Sequence, residues 1–405
     1  MHARRNLGLL FGYWFLRDFQ LWFPVWIVFL TVERGFSLTQ VTLAESIFLI
    51  GVLVLEVPTG AVADRYGRSV SMALGALVLG VAILIFSFTS SFPVLVASFL
   101  MWSLASALMS GADMALLYDT LKAAGRENHY ERLAGRGMAS SWAGLVLATF
   151  LGGPVAALFD TRLTMFVGAG TCVATAAIAI SIWEPPHQAE GEKQPYFSTI
   201  RAAFAEVWRN VDVRITVMLV SSAFAALEAS HYFIQPYLLD RGISVGVMFS
   251  FLQVPILLAG LGGALLSGRI SRKGGARALL AGPLIGAFGY FVLTVMPGLT
   301  GYLALPLVMG VSSCVEPIAT GFINRRIGSE RRATVLSIAS MSRSVVLAVM
   351  APGLGYTTDH WGLAQAFAIG GAMAAAAALA FGLPLLWRTR GQAEPTGLPE
   401  VSAAN

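Results

Sequence analysis

Arg17, Asp18, Asp113, Glu228, His231, Glu316 and Arg343 all stand inside long apolar runs of this chain. A full charge at the centre of such a run costs about 2.5–3.5 kcal/mol on membrane-insertion scales, so each needs a partner, water or a task. The four acids face only two permanent cations, Arg17 and Arg343, so complete pairing leaves two carboxylates over. A buried carboxylate without a cation takes up a proton, and a cationic solute can supply the same missing charge. Proton exchange and cation binding are therefore the chemistry these residue types can do. A static salt-bridge network joining helices is the competing reading. His231 follows Glu228 by three residues and precedes Gln235 by four, so a regular helix puts all three on one face. There His231 can relay a proton, bind a solute or simply be a satisfied polar residue. Arg17 and Asp18 are consecutive, and helical neighbours point about 100° apart, so they are expected to seek different partners. Asp18 with Arg343 is the preferred cross-bundle pair. Glu45 and Glu56 lie nearer span ends and read as structural. Metal-ligand spacing, a nucleophile with its base, and the phosphate loop G-x-x-x-x-G-K-[ST] are all missing, so no enzyme, cofactor or metal is implied.

The elements that must position these groups follow from composition. Of 405 residues 56% are hydrophobic and 12% charged, about half the charge of a soluble domain. Continuous apolar runs of 18 or more residues read as membrane-crossing helices rather than the alternating strands of a barrel. Twelve spans are expected, near 8–32, 40–62, 70–90, 93–120, 137–159, 163–183, 213–238, 243–268, 277–297, 300–323, 333–357 and 363–387. Of the 27 Lys and Arg, 22 fall outside spans on the side holding both termini and three on the opposite side. This asymmetry places both termini in the cytoplasm and explains the net charge of +5 without nucleic acid. Cys172 and Cys314 fall within spans, so no disulfide framework is implied. The first span is too long and too charged for a cleaved signal peptide and is expected to be retained.

The spans divide six and six about the polar segment 184–212. This gives an all-α chain of two six-helix bundles, 1–183 and 213–387, with a linker and a cytoplasmic tail, 388–405. In the linker Ile200, Ala203, Phe204, Val207, Trp208 and Val211 recur at helical spacing, which suggests a short amphipathic helix on the membrane face; a tether is the alternative. "ERGFS" (33–37) returns as "DRGIS" (240–244), and at the same offset of 207 "DRYGR" (64–68) falls on "SRKGG" (271–275). With a four-residue deletion Asp113 aligns with Glu316. Internal repeats of this kind place a site at the bilayer midplane. Glycine steps such as Gly152–Gly153 and Gly282–Gly286 let helices approach closely.

Between the second and third spans lies "EVPTGAVADRYGRS", residues 56–69. Its stretch from Gly60 through Asp64, Arg65, Gly67 and Arg68 resembles the signature loop of the major facilitator superfamily. With twelve spans, the six-plus-six division and the degenerate copy at 271–275, the resemblance covers essentially the whole chain. Pro58 and Gly60 are expected to end or kink the helix, and Gly67 to permit a tight turn. Asp64 can accept from a neighbouring helix N-terminus, and Arg65 and Arg68 can pair with acids of the facing bundle. The resemblance implies that this loop latches the two bundles in one orientation. It also implies that spans one, four, seven and ten line a central cavity while three, six, nine and twelve face lipid. The implied activity is secondary active transport by alternating access, as a monomer acting on a small molecule. "SGADMALLYDTLKAAGRENHYERLAGR" (110–136) is similar to a bacterial branch that includes many drug exporters. Proton-coupled export of a hydrophobic or cationic compound is the leading expectation. Uptake of a small solute, or a lipid-moving or receptor role, remains open. The antiporter signature of the fifth span is largely missing: Gly153 and Pro154 are present, but Ser140, Thr149, Ala157 and Leu158 replace glycines.

Overall fold

A computed structural model describes residues 2–185, 204–296, 298–328 and 331–390. In chain order its main helices are α1 (His2–Asp18), α2 (Leu38–Tyr66), α3 (Arg68–Ser87), α4 (Phe92–Lys122), α5 (Tyr130–Leu158) and α6 (Thr161–Ser181). The second half contributes α7 (Val211–Asp240), α8 (Val247–Arg272), α9 (Gly274–Val295), α10 (Gly298–Asn324), α11 (Arg332–Trp361) and α12 (Leu363–Thr389). Among the described residues eleven of these are long and apolar enough to cross a membrane, and α1, broken off at Asp18, is not one of them. Among the described residues no strand is present. Several helices run past the expected spans; α5 begins seven residues early, at Tyr130.

Polar residues set where helices begin. Ser37 and Gln40 form a reciprocal capping box at the start of α2, and the side chains of Asp160 and Asn210 cap α6 and α7. Apolar residues left exposed fall in stripes on α3 (Leu74, Leu77, Val81, Leu84), α6 (Phe166, Val173, Ile180) and α9 (Ile285, Phe288). Spacings of three, four and seven make each stripe one helix face, suited to contact with hydrocarbon.

The first span corrects the sequence expectation of one continuous helix over 8–32. Helix α1 stops at Asp18, the chain turns through residues 19–25, and helical structure resumes only at Trp26 and ends at Glu33. Pro24 cannot donate to a helical ladder, and Gln20 caps the stop by donating Nε2 to the Arg17 carbonyl at 2.7 Å. Pro58 had the opposite outcome. Helix α2 continues through it to Tyr66 and ends only at Gly67.

The internal repeat is visible in the backbone. Gly35 and Gly242 have φ of 72° and 77°, and Gly67 and Gly274 have φ of 99° and 144°, all left-handed and each pair 207 residues apart. The break in α1 recurs in muted form as well. Shifted by 207, residues 19–25 fall on 226–232, and α7 there tightens into a 3₁₀ segment, Ala229–Phe233.

The two halves meet in a pair of matching seams, both near the membrane face opposite the termini. In one, the Gly153 N–H donates to Ser250 Oγ at 2.8 Å, and a Cβ at Gly153 would lie 2.3 Å from that oxygen and 2.5 Å from the Gly246 carbonyl. In the other, a Cβ at Gly355 would lie 2.5 Å from Thr42 Oγ1 and 2.9 Å from the Leu38 carbonyl. Each glycine thus lies against positions i and i+4 at the start of the facing helix. Asp359 reinforces the second seam by accepting from the Leu38 and Thr39 N–H groups at 3.0 and 2.8 Å, where the α2 dipole favours a negative charge. Cysteines placed at Thr39 and Asp359 are expected to form a disulfide readily in the parent chain and several-fold less in a Gly355→Val background. Equal yields would show that the seam does not depend on the missing Cβ.

Candidate functional site

A cavity of about 570 Å³ opens at mid-depth. The turn after α1 contributes Trp22 and Phe23, α2 contributes Phe48 and Leu49, α4 contributes Trp102 and Ser106, and Ser344 of α11 faces them from the second half. Arg17, Asp18 and Asp113 form its charged wall.

Within that wall one guanidinium serves two carboxylates. Arg17 Nη2 lies 3.0 Å from Asp18 Oδ2, and Nη1 lies 2.9 Å from Asp113 Oδ2. This corrects the expectation that Arg17 and Asp18 look to different partners. Arg17 and Asp18 are the last two residues of α1, and the long Arg17 side chain reaches round to its neighbour with one nitrogen while the other meets Asp113. Asp113 is the more firmly held acid. Trp14 Nε1 donates to it at 2.7 Å, and the Met114 N–H donates at 2.7 Å. The left-handed Gly111 (φ 71°) interrupts α4, so Asp113 lies in the first turn of the segment Ala112–Lys122, where the dipole favours an anion. Its side chain is 8% exposed, against 32% for Asp18.

The second half repeats the arrangement. Arg343 of α11 lies 2.6 Å from Glu316 on α10 and 3.6 Å from Glu228 on α7. The Glu316 and Glu228 side chains are 50% and 44% exposed although both lie well inside membrane-length helices. Arg343 is therefore committed within its own half, and the expected Asp18–Arg343 pair does not form. Each half carries one guanidinium between two carboxylates and so one formal negative charge in excess.

The remaining expected residues fall elsewhere. His231 lies within the 3₁₀ segment of α7, which spoils the regular helix face it was to share with Glu228 and Gln235. Among the described residues it makes ring contacts with Phe23 at 5.3 Å and with Tyr232 but no hydrogen bond. Asp64 and Arg65 lie exposed at the end of α2, with Arg65 over the Tyr66 ring. Arg68 pairs with Asp119 of α4, in its own half rather than the facing one. Gly60 has open space about its Cα. Gly67 fulfils its expected turn for an added reason: a Cβ there would lie 2.7 Å from Glu184, whose carboxylate caps α3 through the Arg68 and Ser69 N–H groups. Of the expected linker helix, residues up to 203 lie outside the described ones. Residues 204–209 are helical, with Val207 buried and Glu206 paired to Arg331 at 2.6 Å.

Counting only charges passed over Gln20 and Gln253, although a glutamine inside an apolar run was itself a signal. Glu45, read as structural because it lay near a span end, is a full two turns inside α2 and lies against Tyr232 of the other half.

The sequence profile of the Major Facilitator Superfamily matches residues 9–348. The uncharacterized MFS-type transporter YxaM of Bacillus subtilis (strain 168) is 30% identical over 89 residues, a stretch that is 22% of this chain and 22% of that relative. Among crystal structures, the nucleoside transporter NupG superposes with a TM-score of 0.77 at 15% identity, covering 95% of this chain and 99% of that one. A bacterial homolog to the human lysosomal transporter Spinster, inward-facing and occupied, gives 0.76 at 16% identity over 94% and 96%. A D-xylose-proton symporter gives 0.72 at 14% over 93% and 96%. Such low identities speak for the fold alone, but the profile spans most of the sequence, and the eleven membrane-length helices among the described residues agree with it. The chain belongs to the major facilitator superfamily.

Proposed function

We propose that this transporter works by alternating access, exchanging protons for a small hydrophobic, cationic compound that it exports from the cytoplasm of a bacterium. The observation that carries the reading is the pair of guanidinium-bridged acid pairs, one in each half, each with one carboxylate in excess. A proton or a cationic group on the substrate satisfies that excess, and competition between the two is what couples their movements. Asp18 and Glu228 are the exchanging members. Asp18 lacks the tryptophan and backbone donors that hold Asp113, and Glu228 is the more distant partner of Arg343. The apolar part of the substrate lies against Trp22, Phe23, Phe48 and Trp102.

In this reading 1–183 and 213–387 are the two moving bodies of a monomer, 184–212 tethers them and 388–405 is a tail. Both termini are cytoplasmic by the distribution of Lys and Arg. In the same reading, seams closed at the opposite face belong to the state that admits solutes from the cytoplasm. Proton-coupled uptake of a small polar solute is the second reading. It is favoured by Gln20, Ser106, Ser110 and Ser344 in the cavity wall and by the nucleoside and xylose transporters among the structural neighbours.

Reconstitution into liposomes with an imposed pH gradient and a compound panel separates these readings. Export predicts that an inward proton gradient drives cationic aromatic compounds the other way. Gradient-independent exchange with no proton movement would remove the coupling. Asp18→Asn and Glu228→Gln are expected to lose gradient-driven transport at least tenfold while keeping normal membrane levels. Arg17→Met strands the buried Asp113 and is expected to cost on the order of 3 kcal/mol of stability, seen as a lower melting temperature in detergent. Asp64→Asn is expected to slow transport without changing folding; a wild-type rate in that variant would contradict a gating role for the loop.

A further inference from the structure

The turn through residues 19–25 leaves backbone groups of the first span without helical partners at membrane depth, where no bulk water can serve them. Two glutamines of the other half take up that role. Gln235 of α7 accepts at Oε1 from the N–H groups of Ile27 and Val28, at 3.0 and 3.3 Å, and donates Nε2 to the Phe23 carbonyl at 3.0 Å. Gln253 of α8 donates Nε2 to the Pro24 carbonyl at 3.0 Å. Both side chains are almost fully buried, at 4% and 6% exposure. At the repeat offset of 207, Gln235 is the equivalent of Val28, so this contact joins equivalent positions of the two halves. It also lies seven residues from Glu228, with the 3₁₀ segment of α7 between them.

We propose that Gln235 and Gln253 are positioning residues of the transport cycle: they complete the broken first span only while the opposite face is closed, and so act as the latch of that face. The inference rests on alternating access as proposed above. A helix with all its hydrogen bonds internal would part from its neighbour leaving no backbone group unpaired. The broken span instead gives up four cross-half hydrogen bonds when the seam opens. Unpaired Phe23, Pro24, Ile27 and Val28 groups then need water, so opening must bring water to the break, next to Asp18. The same latch fixes where α1 ends, because it holds the chain that leaves Asp18.

The test uses the full chain in right-side-out and inside-out vesicles, with no substrate and no pH gradient, so its outcome is independent of what is transported or coupled. Cys172 and Cys314 are replaced by alanine, and Ser106→Cys in the cavity wall is labelled with a membrane-impermeant maleimide. In the parent chain labelling is expected from the face bearing the termini and slow from the opposite face. Gln235→Leu keeps the volume and removes the amide; labelling from the opposite face is expected to rise about tenfold, the effect of losing a buried backbone hydrogen bond or two. Gln253→Leu is expected to raise it less, and the double variant more than either. A protein that still labels at parent rates from both faces would overturn the latch. Should Gln235→Leu fail to reach the membrane, Gln235→Met and Gln253→Leu decide by the same two rates.

Discussion

At mid-depth in a membrane a charge or a free backbone group has no water to fall back on, and the interior of this protein is arranged around that scarcity. Arg17 cannot stand alone, so two carboxylates close on it; Arg343 is served in the same way. The unpaired peptide groups of the broken first span are served by side chains of the facing half. Even the seam at the opposite face obeys the rule, since Asp359 satisfies the first N–H groups of α2. Each of these solutions reaches between helices, and the last two reach between halves. The conformation is therefore tied to whether polar groups find partners.

This dependence gives the cavity its character. The Arg17 cluster, negative by one charge, forms a wall of a chamber lined elsewhere by Trp22, Phe23, Phe48 and Trp102, and the Arg343 cluster repeats the same arrangement in the second half. A neutral apolar solute would leave the excess charge where it was, whereas a cation or a proton removes it. The glycine seams permit close approach of α5 with α8 and of α2 with α11, and nothing larger than a hydrogen fits at Gly153 or Gly355 without moving backbone. Close apolar packing and the polar latch thus act on the same face. Both halves contribute through equivalent positions, as expected of a chain built from a repeated unit.

Much of this could be read from residue types. The spans, the six-plus-six division and the 207-residue repeat rest on composition and spacing, and the repeat reappears as matched left-handed glycines at 35, 242, 67 and 274. The deep charges were likewise legible, because a charge in an apolar run is conspicuous. Their pairing was not. Arg17 and Asp18 look incompatible on a regular helix, yet as the last two residues of α1, just before its stop, they meet. That stop depends on Gln20, on Pro24 and on glutamines more than 200 residues away, which no local pattern reveals. His231 was misjudged for a related reason, since the 3₁₀ turn in α7 changes the periodicity on which the shared face relied. Pro58 shows the limit in the other direction, a proline accommodated within a helix of 29 residues.

The central claim is that each half holds one carboxyl free to exchange a proton beside one that stays fixed as an anion. Infrared difference spectroscopy of the carboxyl C=O stretch, recorded as the purified protein is titrated with acid, tests it without knowledge of the substrate. Among the carboxyl bands of the parent protein, one is expected to be lost in Asp18→Asn and another in Glu228→Gln, with both retained in Asp113→Asn and Glu316→Gln. Bands that vanish only in the latter two variants, or spectra of Asp18→Asn and Glu228→Gln identical to that of the parent, would contradict the account.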